Sequence, residues 1–423
     1  MVAVMGFSAD QIREAVKMMY TVVARNPSAP LHFPVGEDAC RTAGYDEELL
    51  SLVPQRSLES FAGVGNPFRA SVIRQGDTVL DVGAGAGTDV IIASRLVGNQ
   101  GRVIALDLTR AMRSKLESIL ESEGINNVET LAGDAEKIPL PDASVDVVTS
   151  NGVLNLVPDK RRAVSEIFRV LKPGGRVQIA DIVIARPVTP DCEDDPALWA
   201  ECVVGATVDE IYLEMFHDAG FEAVEVIRDY DYFANSPSED TREVAKQFGA
   251  HGMEISMRRA DVAPSRITQW AKRMHPARLV RQVRLRGLWG SLAFIAALFA
   301  CYGTLAAIAI LSALGVGMAF DEGIWAGTIV GCAALACIAI GSGWRKHKSI
   351  LPVAIALAGL GVLSYAMFVK YHMITELTGF VLLGIATWLD FDRRRWAAVP
   401  GGKSAHRNVR RPVAEAGLSQ QGL

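Results

Sequence analysis

Three aspartates and an asparagine stand where this sequence can do chemistry on a small ligand. Asp81 opens the run Asp81-Val-Gly-Ala-Gly-Ala-Gly87, and Asp107 closes the apolar run Arg102-Val-Ile-Ala-Leu. Asp134 follows Val128-Glu-Thr-Leu-Ala-Gly133, and Asn151 follows Ser144-Val-Asp-Val-Val-Thr-Ser150. Each apolar run reads as a strand, and Val90-Ile-Ile-Ala-Ser-Arg-Leu-Val97, just after the glycines, reads as a helix. Strand, glycine turn and helix in that order form the first unit of a doubly wound α/β sheet, where ligands sit beyond the carboxyl ends of the strands. All four polar residues are expected there. Gly83, Gly85 and Gly87 let the backbone approach a ligand, because no Cβ intervenes. Asp107, at the end of the second strand, is placed to accept hydrogen bonds from ribose hydroxyls.

The elements that position these residues follow from periodicity and stop signals. Ala9 to Ala24 has helical spacing with Ser8 as its N-cap, and Pro27, Pro30 and Pro34 then keep the chain extended or looped. Tyr45 to Leu52 reads as a short helix, and Phe61-Ala-Gly-Val-Gly-Asn-Pro67 as a turn before the first strand. A helix from Arg110 to Glu123 separates the second and third strands. Leu171-Lys-Pro-Gly-Gly175 reads as a turn leading into the strand Arg176–Asp181. A helix at Val208 to Ala219 and strands at Ala223 to Val226 and Met253 to Met257 complete a seven-stranded, mostly parallel sheet.

The chain has 423 residues, enough for two or three domains, and a formal charge of −4, which carries no basic signature of nucleic-acid binding. Met1 to Asp10 lacks the charged lead and apolar core of a signal peptide. Six cysteines are scattered, partly in apolar segments, so no disulfide framework is expected and a reduced cytoplasmic setting is the default for the first part.

From Leu288 the composition changes. Four apolar segments, at 288–317, 323–342, 350–369 and 374–390, are each long enough to cross a bilayer, the first with room to bend at Gly303. Arg345, Lys346 and Lys348 follow the second segment and Arg393, Arg394 and Arg395 the fourth; Asp321, Glu322 and Lys370 fill the other turns. The positive-inside rule then predicts four helices in the cell (inner) membrane, with both termini and the first domain cytoplasmic. Before them, Arg258 to Arg286 is basic, with Lys272, Arg273, Arg278, Arg281, Arg284 and Arg286, and reads as a membrane-surface helix or a solvated connector. The expected layout is an amino-terminal helical cap at 1–67, an α/β domain at 68–260, a linker at 261–287, an all-α transmembrane domain at 288–396 and a disordered tail at 397–423.

The glycines fall as G-x-G-x-G after an aspartate, not as the G-x-G-x-x-G of dinucleotide binders. Asp81-Val-Gly-Ala-Gly-Ala-Gly87 resembles motif I of S-adenosylmethionine-dependent methyltransferases. That resemblance implies a Rossmann-like class I methyltransferase fold, in which Asp81, Gly83, Ala84, Gly85, Gly87, Asp107, Leu108, Asp134, Ala135 and Asn151 would hold S-adenosylmethionine, Asp134 at the adenine amino group. It also implies that the amino-terminal extension covers the pocket. Gly65-Asn-Pro67, Ser150-Asn-Gly-Val-Leu-Asn-Leu-Val-Pro-Asp-Lys160 and Leu198-Trp-Ala-Glu-Cys-Val-Val-Gly-Ala206 resemble the arsenite methyltransferase family over about residues 8–260. Members hold trivalent arsenic on thiolates, a soft ligand for a soft metalloid, and its lone pair attacks the methyl group.

By that resemblance Cys202 and Cys40 are the candidate substrate thiols. Val64 and Gly152 occupy two further family cysteine positions, and Cys192 has no counterpart. Glutathione or another small thiol would complete the arsenic shell. No catalytic residue is singled out, because a sulfonium is already an activated leaving group; His32, His217 and His251 are assigned no role. Trp344-Arg-Lys-His-Lys-Ser-Ile-Leu-Pro352, Glu376-Leu-Thr-Gly379 and Asp390 to Arg395 resemble MerC-type mercury-resistance membrane proteins over about 288–396. Those carry a cysteine pair in the first helix. Here only Cys301 lies there, and Cys332 and Cys337, five apart in the second segment, are expected on different helix faces. Glu376 is expected at the membrane interface.

The reading is a membrane-anchored S-adenosylmethionine-dependent methyltransferase acting at the cytoplasmic face on arsenite or another soft metal or metalloid. Two others stand beside it: methylation of a membrane-resident quinone or lipid, or a metal-transport module whose first domain senses S-adenosylmethionine or metal.

Overall fold

The computed structural model describes residues 8–29, 31, 33–187, 205–236, 239–262, 289–299 and 322–397. Pro30, His32, Cys192, Cys202, Cys301, Gly303, Asp321, most of the basic linker and the tail beyond residue 397 lie outside them. The chain divides into two compact units, Met1–Lys272 and Arg273–Leu423.

In the first unit, helix α1 (Ala9–Arg25) starts at a capping box: Ser8 Oγ accepts from Gln11 N, and the Gln11 side chain accepts from Ser8 N at 2.9 Å. Three short helices follow: α2 (Glu37–Ala43), α3 (Glu47–Leu50) and α4 (Gln55–Leu58). The helix expected from Tyr45 is thus only the single turn of α3, because Asp46 caps it by accepting from Leu49 N and Pro54 follows closely. Then β1 (Thr78–Val82), α5 (Thr88–Val97), β2 (Arg102–Asp107), α6 (Arg110–Ser122), β3 (Val128–Ala132) and β4 (Val145–Asn151) follow in the order the sequence predicts, and α7 (Lys160–Val170) comes after them.

Beyond α7 run β5 (Leu171–Ile184), β6 (Thr207–Val208), α8 (Asp209–Ala219), β7 (Phe221–Tyr230), α9 (Glu239–Phe248) and β8 (Ala250–Arg259). The sheet order is β3-β2-β1-β4-β5-β8-β7, with β6 added on β5. Strands β1 to β5 pair in parallel and β8 runs antiparallel between β5 and β7. The fold is a Rossmann-like, mostly parallel α/β sheet, with one departure from the expected strand count. The two-residue β6 makes an eighth strand, and it takes Val208 from the start of the expected helix. The turn at Leu171–Gly175 survives as a bulge at the head of β5, where Leu171 pairs with Val145 and Arg176 with Val147.

Successive residues of a strand face opposite sides of a sheet. In β1, Leu80 and Val82 join a core with Ile167, Phe168, Tyr212 and Phe216 from α7 and α8. Val79 joins the other core, with Ile91, Ile92, Leu116 and Ile119 from α5 and α6. Both faces are covered, which is why these strands read as continuous apolar runs. Each such side chain contributes about 1.5–3 kcal/mol by burial, and their sum fixes the register that sets the strand ends in one row.

In the second unit, α10 (Trp289–Leu298), α11 (Glu322–His347), α12 (Leu351–Phe368) and α13 (Met373–Ala397) are helical. Among the described residues, three helices are long and apolar enough to cross a membrane, over Ala326–Arg345, Leu351–Phe368 and Met373–Arg394. Cys337 is 9% exposed in their shared core with Ile329, Ala333 and Ile340, its Sγ donating to Ala356 O, and Cys332 packs against the same core. The five-residue spacing keeps the two cysteines on different faces of α11, and both meet the core because α11 touches α10, α12 and α13. Glu376 stands in the first turn of α13 and is 1% exposed, turned into the unit rather than outward. Asp390 accepts from Arg394 Nε at 2.7 Å, and Arg394 also reaches Ala339 O. A Cβ at Gly343 would lie 2.1 Å from Asp390 Oδ1, so a glycine there lets the two helices close on this ion pair.

Candidate functional site

Beyond the carboxyl ends of β1, β2 and β4, a cleft opens over the glycine turn. It is lined by all of Asp81, Gly83, Ala84, Gly85, Gly87, Asp107, Leu108, Asp134, Ala135 and Asn151. The parallel register brings them there: Asp81 pairs with Ala105 and Thr149, so the ends of β2 and β4 flank the turn. Gly83 and Gly87 have φ of 78° and 94°, in the left-handed region. Side chains there would also strike neighbours, a Cβ on Gly83 meeting Val153 Cγ2 at 2.2 Å and one on Gly87 meeting Leu116 Cδ1 at 2.3 Å.

The acids differ in their partners. Asp107 accepts from Gly85 N at 2.8 Å and from Thr109 N at 2.6 Å, which ties the glycine turn to the end of β2. Burial raises its carboxyl above the usual range, and those two N–H groups and Arg113 pull it partly back. Asp134 accepts from Glu136 N at 2.9 Å and from Arg13 Nε at 2.7 Å. Asp81 is 3% exposed and accepts no side-chain hydrogen bond from a described residue. Burial, with Asp89 and Asp107 close by, holds its carboxyl well above the ordinary range.

Asn151 does more building than the sequence implies. Its Oδ1 accepts from Val64 N at 2.8 Å and Gly65 N at 3.2 Å, and its Nδ2 donates to Gly65 O, Tyr45 Oη and Asp89 Oδ2. The amide therefore clamps the segment Phe61–Pro67 to β4. Glu254, 1% exposed on β8, holds the same segment by accepting from Asn66 N at 3.0 Å and Arg69 Nε at 2.9 Å. Glycines at 63 and 65 permit this, since a Cβ would lie 2.5 Å from Asn151 Nδ2 or from Tyr230 Oη. Asp89, Tyr45 and Glu254 were not foreseen. The only sequence signal for Asp89 was an acid in the first turn after the glycines, a position that also suits the helix dipole.

Helix α1 covers the cleft with Arg13, Val16 and Tyr20, and Arg13 spans Asp134 and Glu136 at 2.7 Å each. Of the candidate substrate thiols only Cys40 is among the described residues. Cys40 does not line the cleft: it is 0% exposed in the core with Tyr45, Leu50 and Phe61, and burial pushes its thiol well above the usual range. A neutral, enclosed thiol is a packing residue, which corrects the ligand reading. Val64 and Gly152 lie side by side, a Cβ on Gly152 falling 3.1 Å from Val64 Cγ1. Among the described residues no cluster of three His, Cys, Asp or Glu could hold a metal ion. His217 is exposed, and His251 Nδ1 lies 2.9 Å from Gly249 O, away from the cleft.

Residues 73–220 match the family model described as a methyltransferase domain. The ubiquinone/menaquinone biosynthesis C-methyltransferase of Escherichia coli is 31% identical over 173 residues, 41% of this chain and 67% of the relative. The chain belongs to the methyltransferases. Its cofactor is S-adenosylmethionine. Arsenite methyltransferases are also similar: that of Halobacterium salinarum is 40% identical over 183 residues, 43% of this chain and 46% of the relative. That of Mus musculus is 34% identical over 214 residues, 47% and 54% of the two chains. The chain thus spans about half the length of these curated relatives. Among solved structures, an arsenic(III) S-adenosylmethionine methyltransferase from Chlamydomonas reinhardtii is 28% identical with a TM-score of 0.42, covering 56% of this chain and 77% of that one. The methyltransferase carries a second domain, for residues 287–392 match the MerC mercury resistance protein.

The cleft fits the cofactor on its own chemistry. S-adenosylmethionine bears a sulfonium and an ammonium, and Asp81 is a buried carboxylate at the glycine turn without a side-chain donor among the described residues.

Proposed function

We propose that this protein is a membrane-anchored methyltransferase that moves the methyl group of S-adenosylmethionine to a trivalent arsenical or similar soft acceptor. The observation that carries the reading is the row of Asp81, Asp107 and Asp134 at neighbouring strand ends around a glycine turn. Asp107 would accept from the ribose hydroxyls, Asp134 from the adenine amino group, and Asp81 would face the ammonium. Gly83, Ala84, Gly85 and Gly87 would present backbone to the cofactor, with Leu108 and Ala135 against its rings and Asn151 holding the segment that borders the acceptor. When bound, the cofactor supplies a methyl group on a sulfonium, already activated for transfer to a lone pair. The chain's part is alignment and exclusion of water: α1 closes the cleft with Val16 and Tyr20, and Arg13 fastens the lid.

The names of the similar arsenite methyltransferases support arsenic as the acceptor, with Cys202 as the retained thiol and glutathione completing the shell. The MerC domain supports anchoring, through α11, α12, α13 and a fourth span beginning at α10. The basic residues at Arg345 and Arg393–Arg395 support a cytoplasmic methyltransferase, in the layout 1–67, 68–260, 261–287, 288–396 and 397–423. A second reading, a membrane-resident quinone or lipid acceptor, is favoured by one observation: the paired family cysteine positions hold Val64 and Gly152, and the wall beside them is Phe61, Val153 and Leu156.

Transfer of labelled methyl to arsenite, with glutathione, by the full-length protein and by Cys202→Ser tests the first reading. Methylated arsenic that is lost in the variant supports it. Cofactor binding without arsenic methylation defeats it and leaves the membrane acceptor, sought in membrane extracts.

A further inference from the structure

Asp89 is a buried acid for which the mechanism above has no use. It stands in the first turn of α5, 6% exposed, and lines the same cleft as Asp81 and Asp107. Its two oxygens are held apart by different donors, Tyr45 Oη at 2.5 Å on Oδ1 and Asn151 Nδ2 at 3.0 Å on Oδ2. Tyr45 is itself 5% exposed and wedged edge-on against Phe61 and Phe68. A carboxylate so placed cannot swing out to solvent.

From the geometry we infer that Asp89 forms with Asp81 a paired anionic seat for the cofactor's positive charge, and that the pair holds a proton which the cofactor displaces on binding. This rests on the S-adenosylmethionine reading and deepens it. Two buried carboxylates on the wall of one cleft repel each other, and a proton or a cation between them relieves that repulsion. Asp81, with no side-chain donor among the described residues, is the member that must take the proton or meet the cation.

The groups facing the pair argue the same way. Asp107 on β2 adds a third negative charge, Cys40 on α2 and Tyr45 are held neutral by burial, and Asn151 on β4 is an uncharged donor. Arg113 is turned to Asp107, whose carbonyl it donates to. Burial raises Asp89 to about 6, against the pull of its two donors, and Asp81 goes well above its ordinary value. The balance on binding is simple: the cofactor's cation enters, one O–H bond of the pair breaks, and the proton passes to buffer.

The test is calorimetry of full-length protein with S-adenosylmethionine in two buffers of different ionisation enthalpy, from about pH 5.5 to about pH 7.5. Release of close to one proton is expected, and the same for S-adenosylhomocysteine, which keeps the ammonium that faces Asp81. Asp89→Asn, which removes one of the charges that raise Asp81, should lessen the release and move it to lower pH. Tyr45→Phe, which removes a donor that favours the charged form of Asp89, should move the release to higher pH, so a failure of Asp89→Asn to fold still leaves a decisive variant. Binding without proton release, or release unchanged in both variants, overturns the inference. No binding of S-adenosylmethionine at all overturns the cofactor reading instead.

Discussion

One side of the cleft is made of strand ends and the other of a clamped segment, and the two were built by different rules. On the first side, Asp81, Asp107 and Asp134 each sit one step beyond an apolar run, so parallel pairing alone assembles them. On the second side, Phe61 to Gly65 has no ladder of its own and is held by Asn151, Glu254 and Tyr230, which come from β4, β8 and β7. The difference teaches where specificity can drift. Changing a strand-end acid would remove a proposed cofactor contact, whereas Val64 and Gly152 can vary while their clamp stays intact. Such a molecule can keep its cofactor and change its acceptor.

The comparison is broken most forcefully at Asp107. Its carboxylate already accepts from two backbone N–H groups, so Asp107→Ala loses both turn-stabilising bonds and any to the cofactor. With charge-assisted bonds at about 1.5–3 kcal/mol each, the affinity for S-adenosylmethionine should fall about a hundredfold or more. Calorimetry decides it, and an affinity within threefold of wild type would remove the strand-end side from cofactor binding.

A gain on the other side is expected from restoring thiols. Gly152 has a φ of 70°, so a cysteine there costs about 1–2 kcal/mol of strain. Its Cβ would nonetheless stand 3.1 Å from the present Val64 side chain. Val64→Cys with Gly152→Cys should therefore tighten arsenite binding about tenfold, measured by equilibrium dialysis, and leave the affinity for S-adenosylmethionine near wild type. If arsenite affinity does not rise, the clamped segment is not where an arsenical binds.

Glu254→Gln probes the clamp itself. It keeps the shape but removes the charge from a 1%-exposed group that serves Asn66 N and Arg69. Loss of about 1–3 kcal/mol of stability is expected, seen in thermal unfolding, with KM for the acceptor rising more than the Kd for the cofactor. Equal changes in both constants would mean that the two sides are not separable.

Much of this was legible from order along the chain. Strand, turn and helix with an acid at the next strand end depend on local residues, and the glycine spacing leaves few backbone paths. The clamp was not legible, because Asn151, Glu254 and Tyr45 act on residues far away in sequence, and an asparagine after a strand looks the same whether it binds a ligand or a loop. Cys40 was misread for a related reason: a cysteine's role depends on burial, which its neighbours in sequence do not reveal. Cys332 and Cys337 stand on different faces of α11 as helix period implies; that both faces are packed depends on the other helices and was not legible.

Asp181 gives the smallest and most discriminating effect. By sequence it ends a strand just as Asp81 and Asp107 do. In the structure β5 runs on to Ile184, so Asp181 lies within the sheet, 0% exposed, accepting from Tyr212 Oη at 2.8 Å and Asn155 N at 3.3 Å. Burial raises it to about 7, although Tyr212, its own backbone neighbour and Lys160 favour the charged form. A carboxyl whose folded-state pKa is raised gives stability that is full below its unfolded value near 4 and is lost as pH climbs through about 7. Asp181→Asn keeps a neutral side chain at every pH and escapes that loss. The wild-type protein should hold its advantage over the variant near pH 5 and lose on the order of 1–3 kcal/mol of it by about pH 7.5, read from unfolding midpoints at both pH values. S-adenosylmethionine affinity should not change. A stability gap that stays constant with pH would place a charged Asp181 in the folded protein, and a fall in cofactor affinity would return it to the row of strand-end acids that the cleft is built from.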